Sequence, residues 1–177
     1  MSSTKFTEAL NLQVGREFAA SQQYIAIAVW FDDRTLPQLA AFFYGQALEE
    51  RNHAMMMVQY LLDTDAPVQI PGVAAPKTDF IDYREPVALA LEQERTVGQE
   101  IEGLSAIAHD ERDHTSMNYV NWFLKEQVEE VATMTSLLQV TERAGDDIWQ
   151  VEDYIARESP RDEPADPTAP GPAGGGV

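Results

Sequence analysis

The distribution of proline constrains the fold more than any other feature of this sequence. Proline is tolerated in the first turn of a helix but breaks a helix interior, and here it leaves four long stretches uninterrupted. Pro37 and Pro86 fall near the starts of the second and third stretches, where a helix accepts them. The predicted helices cover residues 5–33, 35–63, 83–108 and 114–144, and Thr35 is the predicted N-cap of the second helix.

The connections between these helices predict the topology. Short turns join the first helix to the second and the third to the fourth, so each pair is antiparallel. Residues 63–80 form a longer link that contains three prolines. A helix of about 28 residues is ~42 Å long, and about 17 extended residues span ~55 Å. The link can therefore run the whole bundle, which predicts an all-α four-helix bundle with one long crossover loop.

The end of the chain divides into a short helix and a tail. Gly145 suits a helix C-cap, and the apolar residues from Ile148 to Ile155 predict a short fifth helix. We expect one domain over residues 1–158. Residues 159–177 are rich in Pro, Gly, Ala and Asp, and we expect this tail to be disordered. A peptide that binds a partner is the alternative for the tail.

Composition limits the chemistry. The 177 residues carry a net charge of −18, which argues against nucleic-acid binding and favours cations as partners. The chain has no cysteine, so a metal site must use Asp, Glu and the three histidines. No apolar stretch resembles a signal peptide or a membrane span, and a cytoplasmic protein is expected.

Alternating three- and four-residue spacing assigns core-facing positions to each helix. They are Leu10, Val14, Glu17, Ser21, Tyr24, Ala28 and Phe31; Leu39, Phe43, Gln46, Glu50, His53, Met57 and Tyr60; Val87, Leu91, Glu94, Gly98, Ile101, Ser105 and Ala108; and Val120, Phe123, Gln127, Glu130, Met134, Leu137 and Thr141. Each set carries one interior glutamate, and none contains Lys or Arg. Because a buried unpaired carboxylate costs several kcal/mol, a metal ion is the obvious counter-charge.

The spacing within two helices strengthens the metal hypothesis. Glu50 and His53 form a Glu-x-x-His pair on one helix face, and Gln127 and Glu130 share a face in the same way. Carboxylates with one imidazole suit two iron or manganese ions better than copper or structural zinc. A solvated charged stripe is the alternative for the Glu-x-x-His pair taken alone, and a shifted choice of core-facing positions would weaken the argument.

With these residues in place, the chain resembles bacterial-type non-haem ferritin over residues 5–158. The resemblance implies a ferritin-like fold. The general di-iron pattern has Glu-x-x-His on two helices, but here the fourth helix has Gln127 and Glu130, as ferritins do. Arg51 stands where bacterioferritins carry a haem-ligating Met, so no haem is expected. The long link and the fifth helix also separate the chain from the smaller Dps cage.

The resemblance implies roles for the site residues. One iron is held by Glu17, Glu50 and His53, and a second by Glu50, Glu94 and Glu130, with Glu50 bridging. Gln127 is a neutral ligand or hydrogen-bond partner beside the second iron, and Tyr24 hydrogen-bonds a site carboxylate. Three flanking acids form a third iron position, with a solvated face as the alternative: Glu49, Glu126 and Glu129.

The resemblance also implies an activity and an assembly. The activity is ferroxidase chemistry, in which Fe²⁺ is oxidised by O₂ or H₂O₂ and stored as ferric mineral. The assembly is a closed homo-oligomeric cage of about 24 subunits. Acids and histidines at 109–114 form a pore or simply a polar turn. Two rival hypotheses remain: a di-iron oxygenase acting on an organic substrate, and a structural bundle without metal.

Overall fold

The computed structural model describes residues 4–158 and 166–176. Its regular structure in these residues consists of five helices: α1 (Thr4–Asp32), α2 (Pro37–Asp63), α3 (Arg84–Asp110), α4 (His114–Ala144) and α5 (Trp149–Glu158). The four-helix bundle with a short fifth helix is confirmed, and each predicted boundary of the first four helices lies within two residues of the observed one. None of the described helices is long and apolar enough to cross a membrane.

Two antiparallel helix pairs build the bundle. α1 packs along α2, α3 packs along α4, and the two pairs meet where α1 contacts α3. The crossover loop from 64 to 83 runs beside α1 and is tied to it at two levels. Asn11 donates from Nδ2 to Pro67 O (2.9 Å) and accepts from Gln69 N (2.6 Å). Further along α1, Gln23 makes the same two-way contact with the Lys77 backbone.

The core separates into two apolar clusters with a polar layer between them. One cluster surrounds Phe31 and Phe43, and the other surrounds Phe6 and Met57. Every core-facing position assigned from the sequence is buried or half-buried. We call the four interior glutamates, Glu17, Glu50, Glu94 and Glu130, the polar layer. The helical spacing therefore predicted which residues face inward.

The start of α2 is capped by another helix and not by Thr35. Thr35 has φ of 58°, a left-handed conformation, and Leu36 occupies the N-cap position without a side-chain bond. The buried carboxylate of Glu152, on α5, accepts instead from Gln38 N (3.0 Å) and Leu39 N (2.7 Å). The prediction of Thr35 as N-cap was wrong because the orphan N–H groups of a helix start can be satisfied from a distance.

The other helix ends follow local rules. Asp113 caps α4, since its carboxylate accepts from Ser116 N at 3.1 Å. Gly145 ends α4 with φ of 57°, which confirms the predicted C-cap glycine. The polar residues at 109–114 thus include a helix cap, which supports the polar-turn interpretation of this segment.

The described part of the tail does not behave as a disordered segment. Ala173 N donates to Met55 O on α2 (3.0 Å), and Asp166 Oδ2 accepts from Trp122 Nε1 on α4 (3.0 Å). Ala169 and Ala173 also pack against the cluster around Phe6. The expectation of disorder is therefore wrong for residues 166–176. Residues 159–165 and 177 lie outside the described residues.

Gly15 is expected to be intolerant of a side chain. A Cβ atom at this position would lie 2.5 Å from Cγ of Pro71 in the crossover loop. Gly15→Ala should destabilise the protein by about 1–3 kcal/mol through overpacking, although alanine is the better helix former by about 1 kcal/mol. The measurement is denaturant unfolding at fixed protein concentration.

Gly103→Ala is the matched control for this substitution. Gly103 is also inside a helix, but a Cβ atom at this position would have no neighbour within 4 Å. This variant should gain up to about 1 kcal/mol. Equal stabilisation by both substitutions would show that the loop does not press against α1 at Gly15.

Candidate metal centre

Each helix of the bundle contributes one acid to the polar layer. Glu17 and Glu94 are each 1 % exposed, Glu50 is 2 % exposed and Glu130 is 6 % exposed. His53, one turn after Glu50, is 6 % exposed. The helical repeat buries these side chains because they share a face with the apolar residues above and below them. Five ionisable groups therefore converge inside an apolar frame.

Glu17, Glu50 and His53 form the first group of candidate ligands. Each offers an atom within 4.8 Å of the others, and His53 Nδ1 lies 3.7 Å from Glu50 Oε2. Oε2 of Glu17 and Oε2 of Glu50 are buried without a hydrogen-bond partner among the described residues. Buried carboxylate oxygens without a donor are unfavourable unless a cation binds them.

Glu94 differs from Glu17 and Glu50 because both of its carboxylate oxygens accept hydrogen bonds from protein donors. The Tyr24 hydroxyl donates to Oε1. Gln127 Nε2 donates to Oε2 (2.6 Å) and to the Glu94 carbonyl oxygen (3.0 Å). The sequence analysis expected a bond from Tyr24 to a site carboxylate, and the carboxylate that Tyr24 contacts is Glu94. The assignment of both residues to a metal site stays a prediction. Gln127 is a hydrogen-bond partner of the polar layer, which was one of its two predicted roles.

A second group of acids extends from the polar layer toward the surface. Glu49, Glu126 and Glu130 offer oxygens within 4.8 Å of one another, and only Glu130 among them is buried. We call this set the outer acid group. Glu129 lies outside it: its side chain is 64 % exposed and pairs with Lys125 Nζ at 3.7 Å. The structure thus brings together two of the three predicted flanking acids.

Burial controls the electrostatics of the polar layer. Burial raises the pKa of Glu17 well above its usual value, and the Glu50 carboxylate raises it further. Burial, followed by Glu94, raises the pKa of Glu50 in the same way. Burial and then Glu49 and Glu94 raise the pKa of Glu130 to about 10. For Glu94, burial again raises the pKa, whereas the hydrogen bonds from Tyr24 and Gln127 oppose the rise.

The raised pKa values of the polar layer indicate how the site would bind a cation. Without a cation, desolvation favours the protonated forms of these acids, and Glu130, with a pKa of about 10, holds a proton at neutral pH. A divalent cation would replace those protons, and metal affinity would therefore rise with pH. Hard carboxylate oxygens with one imidazole nitrogen match iron or manganese. The site is suited to exchanging protons for a metal cation.

The roles of three neighbours of the centre were not predicted from the sequence. Gln13 is fully buried and donates from Nε2 to Glu17 Oε1 (2.9 Å). Gly98 leaves room for Gln127, whose Cγ would lie 3.1 Å from a Cβ at that position. Trp122 packs edge-on against His53, with ring centres 5.7 Å apart. Only Gln13 carried a sequence signal, since it precedes Glu17 by one helical turn.

Known proteins share this sequence and fold. A model of the family described as a ferritin-like domain matches residues 7–144. The chain belongs to this family. Ferritin BfrB of Mycolicibacterium smegmatis is 55 % identical to it over 98 % of this chain and 96 % of the relative.

Other relatives carry two different family names. Bacterioferritin BfrB of Mycobacterium tuberculosis is 51 % identical over 97 % of this chain and 94 % of the relative. Bacterial non-heme ferritin of Staphylococcus aureus is 37 % identical over 83 % of this chain and 89 % of the relative. Among solved structures, the open pore ferritin of Archaeoglobus fulgidus gives a TM-score of 0.84 at 26 % identity, covering 88 % of this chain and 96 % of that one.

The raised pKa of Glu130 predicts that the metal-free ferritin subunit loses stability as pH rises. The folded state favours the protonated acid, so the stabilising contribution is full below the unfolded value of about 4.5. It is lost progressively as pH climbs through the folded value of about 10. The free energy of unfolding of chelator-treated protein should therefore fall between about pH 5 and about pH 9.

Glu130→Gln should flatten this pH dependence, because the amide keeps the size of the acid and cannot ionise. Glu102→Gln, at an exposed position of α3, is the control and should leave the slope unchanged. Denaturant midpoints at a fixed protein concentration give the measurement. A slope that Glu130→Gln does not alter would contradict a buried protonated acid at this position.

Proposed function

We propose that this chain is the subunit of a non-haem ferritin that oxidises Fe²⁺ and stores the product as ferric mineral inside a homo-oligomeric cage of about 24 copies. A single observation carries the proposal. Four buried carboxyl groups and His53 share one layer of the bundle, and one oxygen of Glu17 and one of Glu50 have no protein donor among the described residues. Iron is the cargo and the substrate of this site.

The distances support one half of a paired iron site, and the charges that act on Glu130 support the other half. Glu17, Glu50 and His53 hold one iron, since their candidate atoms lie within 4.8 Å of one another. The second iron is held by Glu50, Glu94 and Glu130, with Glu50 as the bridge. The charges of Glu94 and Glu50 both act on Glu130. Gln127 restrains the Glu94 carboxylate by donating from its amide to Oε2 of that acid.

The ligand set favours oxidation of the bound ion. Carboxylates stabilise Fe³⁺ more than Fe²⁺, because the attraction grows with the charge of the cation. Two Fe²⁺ supply the two electrons that convert O₂ to H₂O₂, or H₂O₂ to water. The surplus acid, at a net charge of −18, raises the local concentration of Fe²⁺ around the protein. A cytoplasmic location, expected from the sequence, belongs to this proposal.

The assignment as non-haem depends on Arg51. In the bacterioferritin pattern the position after the Glu of Glu-x-x-His is a haem-ligating Met, and here it is Arg51. A guanidinium is permanently charged and does not ligate iron. Absorption spectroscopy of purified protein tests this directly, since bound haem gives an intense Soret band.

Iron titration separates storage from its rivals. Anaerobic Fe²⁺ is added to purified protein, air is admitted, and absorbance is followed together with particle mass. A storage ferritin oxidises many irons per subunit as a very large particle. Uptake that stops near two irons per subunit in a small oligomer would favour a di-iron oxygenase. No oxidation at all would leave a structural bundle.

Glu50→Ala should abolish fast Fe²⁺ oxidation and leave the assembled particle intact. The substitution removes the bridge between the two irons and, at the same time, a buried acid whose charged form the fold disfavours. Stopped-flow absorbance gives the initial rate, and light scattering gives the particle mass. Glu102→Ala, at an exposed site on α3, is the control. Unchanged initial rates in Glu50→Ala would reject the site assignment.

The outer acid group is proposed as a third iron position that receives Fe³⁺ from the paired site. Replacing Glu49 and Glu126 together by Gln should leave the first turnover fast and slow the later ones, because product leaves more slowly. Repeated small additions of Fe²⁺ measure both phases. Glu129→Gln is the matched control, since Glu129 lies outside the group and pairs with Lys125. Equal slowing of the first and later additions would place these acids in the paired site itself.

A further inference from the structure

Two stacked tyrosines lie at the opposite end of the polar layer from Tyr24. Tyr24 belongs to the cluster around Phe31, whereas Tyr60 and Tyr119 pack against the cluster around Phe6. The rings of Tyr60 and Tyr119 are 4.0 Å apart between centres and inclined by 24°. We call them the tyrosine pair. No role assigned so far to the iron site uses them.

Aromatic contacts join the tyrosine pair to the candidate centre. The ring of Tyr119 lies 5.3 Å from Phe123, whose ring lies 5.7 Å from His53. Burial raises the pKa of Tyr119, and the charges of Tyr60 and Glu17 raise it further. Tyr119 is therefore near the half of the centre that contains Glu17 and His53, where the orphaned carboxylate oxygens lie.

The two hydroxyl groups have different surroundings. The Tyr119 oxygen is buried and has no hydrogen-bond partner among the described residues. The Tyr60 oxygen lies 2.9 Å from Ser116 Oγ, which donates to Asp113 Oδ2 at 2.7 Å. Because Ser116 gives its only hydroxyl proton to Asp113, Tyr60 is the donor to Ser116. A proton path thus leads from Tyr60 to a carboxylate in the turn between α3 and α4.

Packing alone does not account for a tyrosine at position 119. A phenylalanine would fill the same space without the cost of a buried unsatisfied hydroxyl, about 1–3 kcal/mol. A phenol also differs from phenylalanine chemically, because it can give up an electron and a proton together. The location beside an oxidising centre, with a proton path at the neighbouring ring, matches that chemistry.

We propose that the tyrosine pair supplies one electron to O₂ or H₂O₂ at the centre when a single Fe²⁺ is bound, with Tyr60 releasing its proton through Ser116 to Asp113. The inference rests on the proposed ferroxidase function. The electron from the tyrosine pair completes a two-electron reduction of O₂ or H₂O₂ that one Fe²⁺ cannot complete alone. Release of superoxide is thereby avoided.

The electrons and protons balance. With one Fe²⁺, the reaction is Fe²⁺ + TyrOH + Asp⁻ + O₂ + 2H⁺ → Fe³⁺ + TyrO• + AspH + H₂O₂. The phenolic O–H bond breaks, its proton goes to Asp113, its electron joins the one from Fe²⁺, and both protons of H₂O₂ come from water. A later Fe²⁺ restores the phenol: Fe²⁺ + TyrO• + AspH → Fe³⁺ + TyrOH + Asp⁻. Tyr119 passes the electron from Tyr60 through the stacked rings, and the radical rests on Tyr60, which has the proton acceptor.

Freeze-quench electron paramagnetic resonance tests the proposal on the assembled protein. One Fe²⁺ per subunit is mixed with air-saturated buffer, and the tyrosyl signal is identified by its change in protein grown with ring-deuterated tyrosine. Tyr24→Phe serves as the background, because Tyr24 contacts Glu94 directly. The signal should persist in Tyr24→Phe and be lost when Tyr60→Phe and Tyr119→Phe are added. Release of superoxide should rise with that loss.

Two further variants distinguish electron supply from a structural effect. Asp113→Asn keeps the α4 cap, since Asn caps well, but removes the proton acceptor, and should diminish the radical signal with the fold unchanged. Tyr44→Phe is the control, because Tyr44 also bonds an acid, Asp32 (3.2 Å), on the exposed side of α2. It should leave the signal intact.

The outcomes separate the two proposals. Normal iron oxidation with an equal radical signal in the Tyr24→Phe protein and in the triple variant would overturn the role of the tyrosine pair. Normal oxidation with no tyrosyl signal in the unaltered protein would overturn it as well. Failure of the unaltered protein to oxidise Fe²⁺ at all would overturn both the ferroxidase function and this inference.

Discussion

The burial of four carboxyl groups in an otherwise apolar bundle is the constraint on which the rest of the structure depends. Moving one such group out of water costs several kcal/mol when it stays charged and unpaired. The apolar clusters on both sides of the polar layer must offset that cost. Further support comes from the ends, where Glu152 joins α5 to the start of α2, and from the loop bonds of Asn11. The fold is thus arranged to hold a layer that is unfavourable until a cation enters it.

Helical spacing predicted the fold and the burial of the site well, because both depend on neighbours within one helix. It did not identify the partner where a contact joins distant parts of the chain. Glu94 accepts from Tyr24, 70 residues away, and Glu152 caps α2 across 113 residues. The sequence placed Tyr24 and Glu94 on the core-facing sides of their helices but contained no information about how the helices shift along one another. Gln13 was missed for another reason, since a buried glutamine is unusual without a partner.

The composition of the tail predicted disorder, and the described tail residues instead lie against the bundle. A segment rich in Pro, Gly and Ala cannot bury a core of its own, and that reasoning remains sound. It does not exclude docking on a core that already exists. Residues 166–176 do this with few contacts, chiefly the bond from Trp122 to Asp166 and the one from Ala173 to Met55. Hydrogen bonds from Thr168 and Trp122 lower the pKa of Asp166 to about 2, so this acid stays charged at neutral pH.

The two halves of the candidate centre are held differently, and this bears on how it would fill. Both oxygens of Glu94 accept from protein donors, so this acid is satisfied before any metal arrives. Oε2 of Glu17 and Oε2 of Glu50 accept from none of the described residues. A cation between Glu17, Glu50 and His53 would remove the free-energy cost of these unsatisfied oxygens, which is larger than the cost at the satisfied Glu94. The half of the centre with the orphaned acceptors should therefore bind first, and the half restrained by Tyr24 and Gln127 should bind once Glu50 has turned toward both ions.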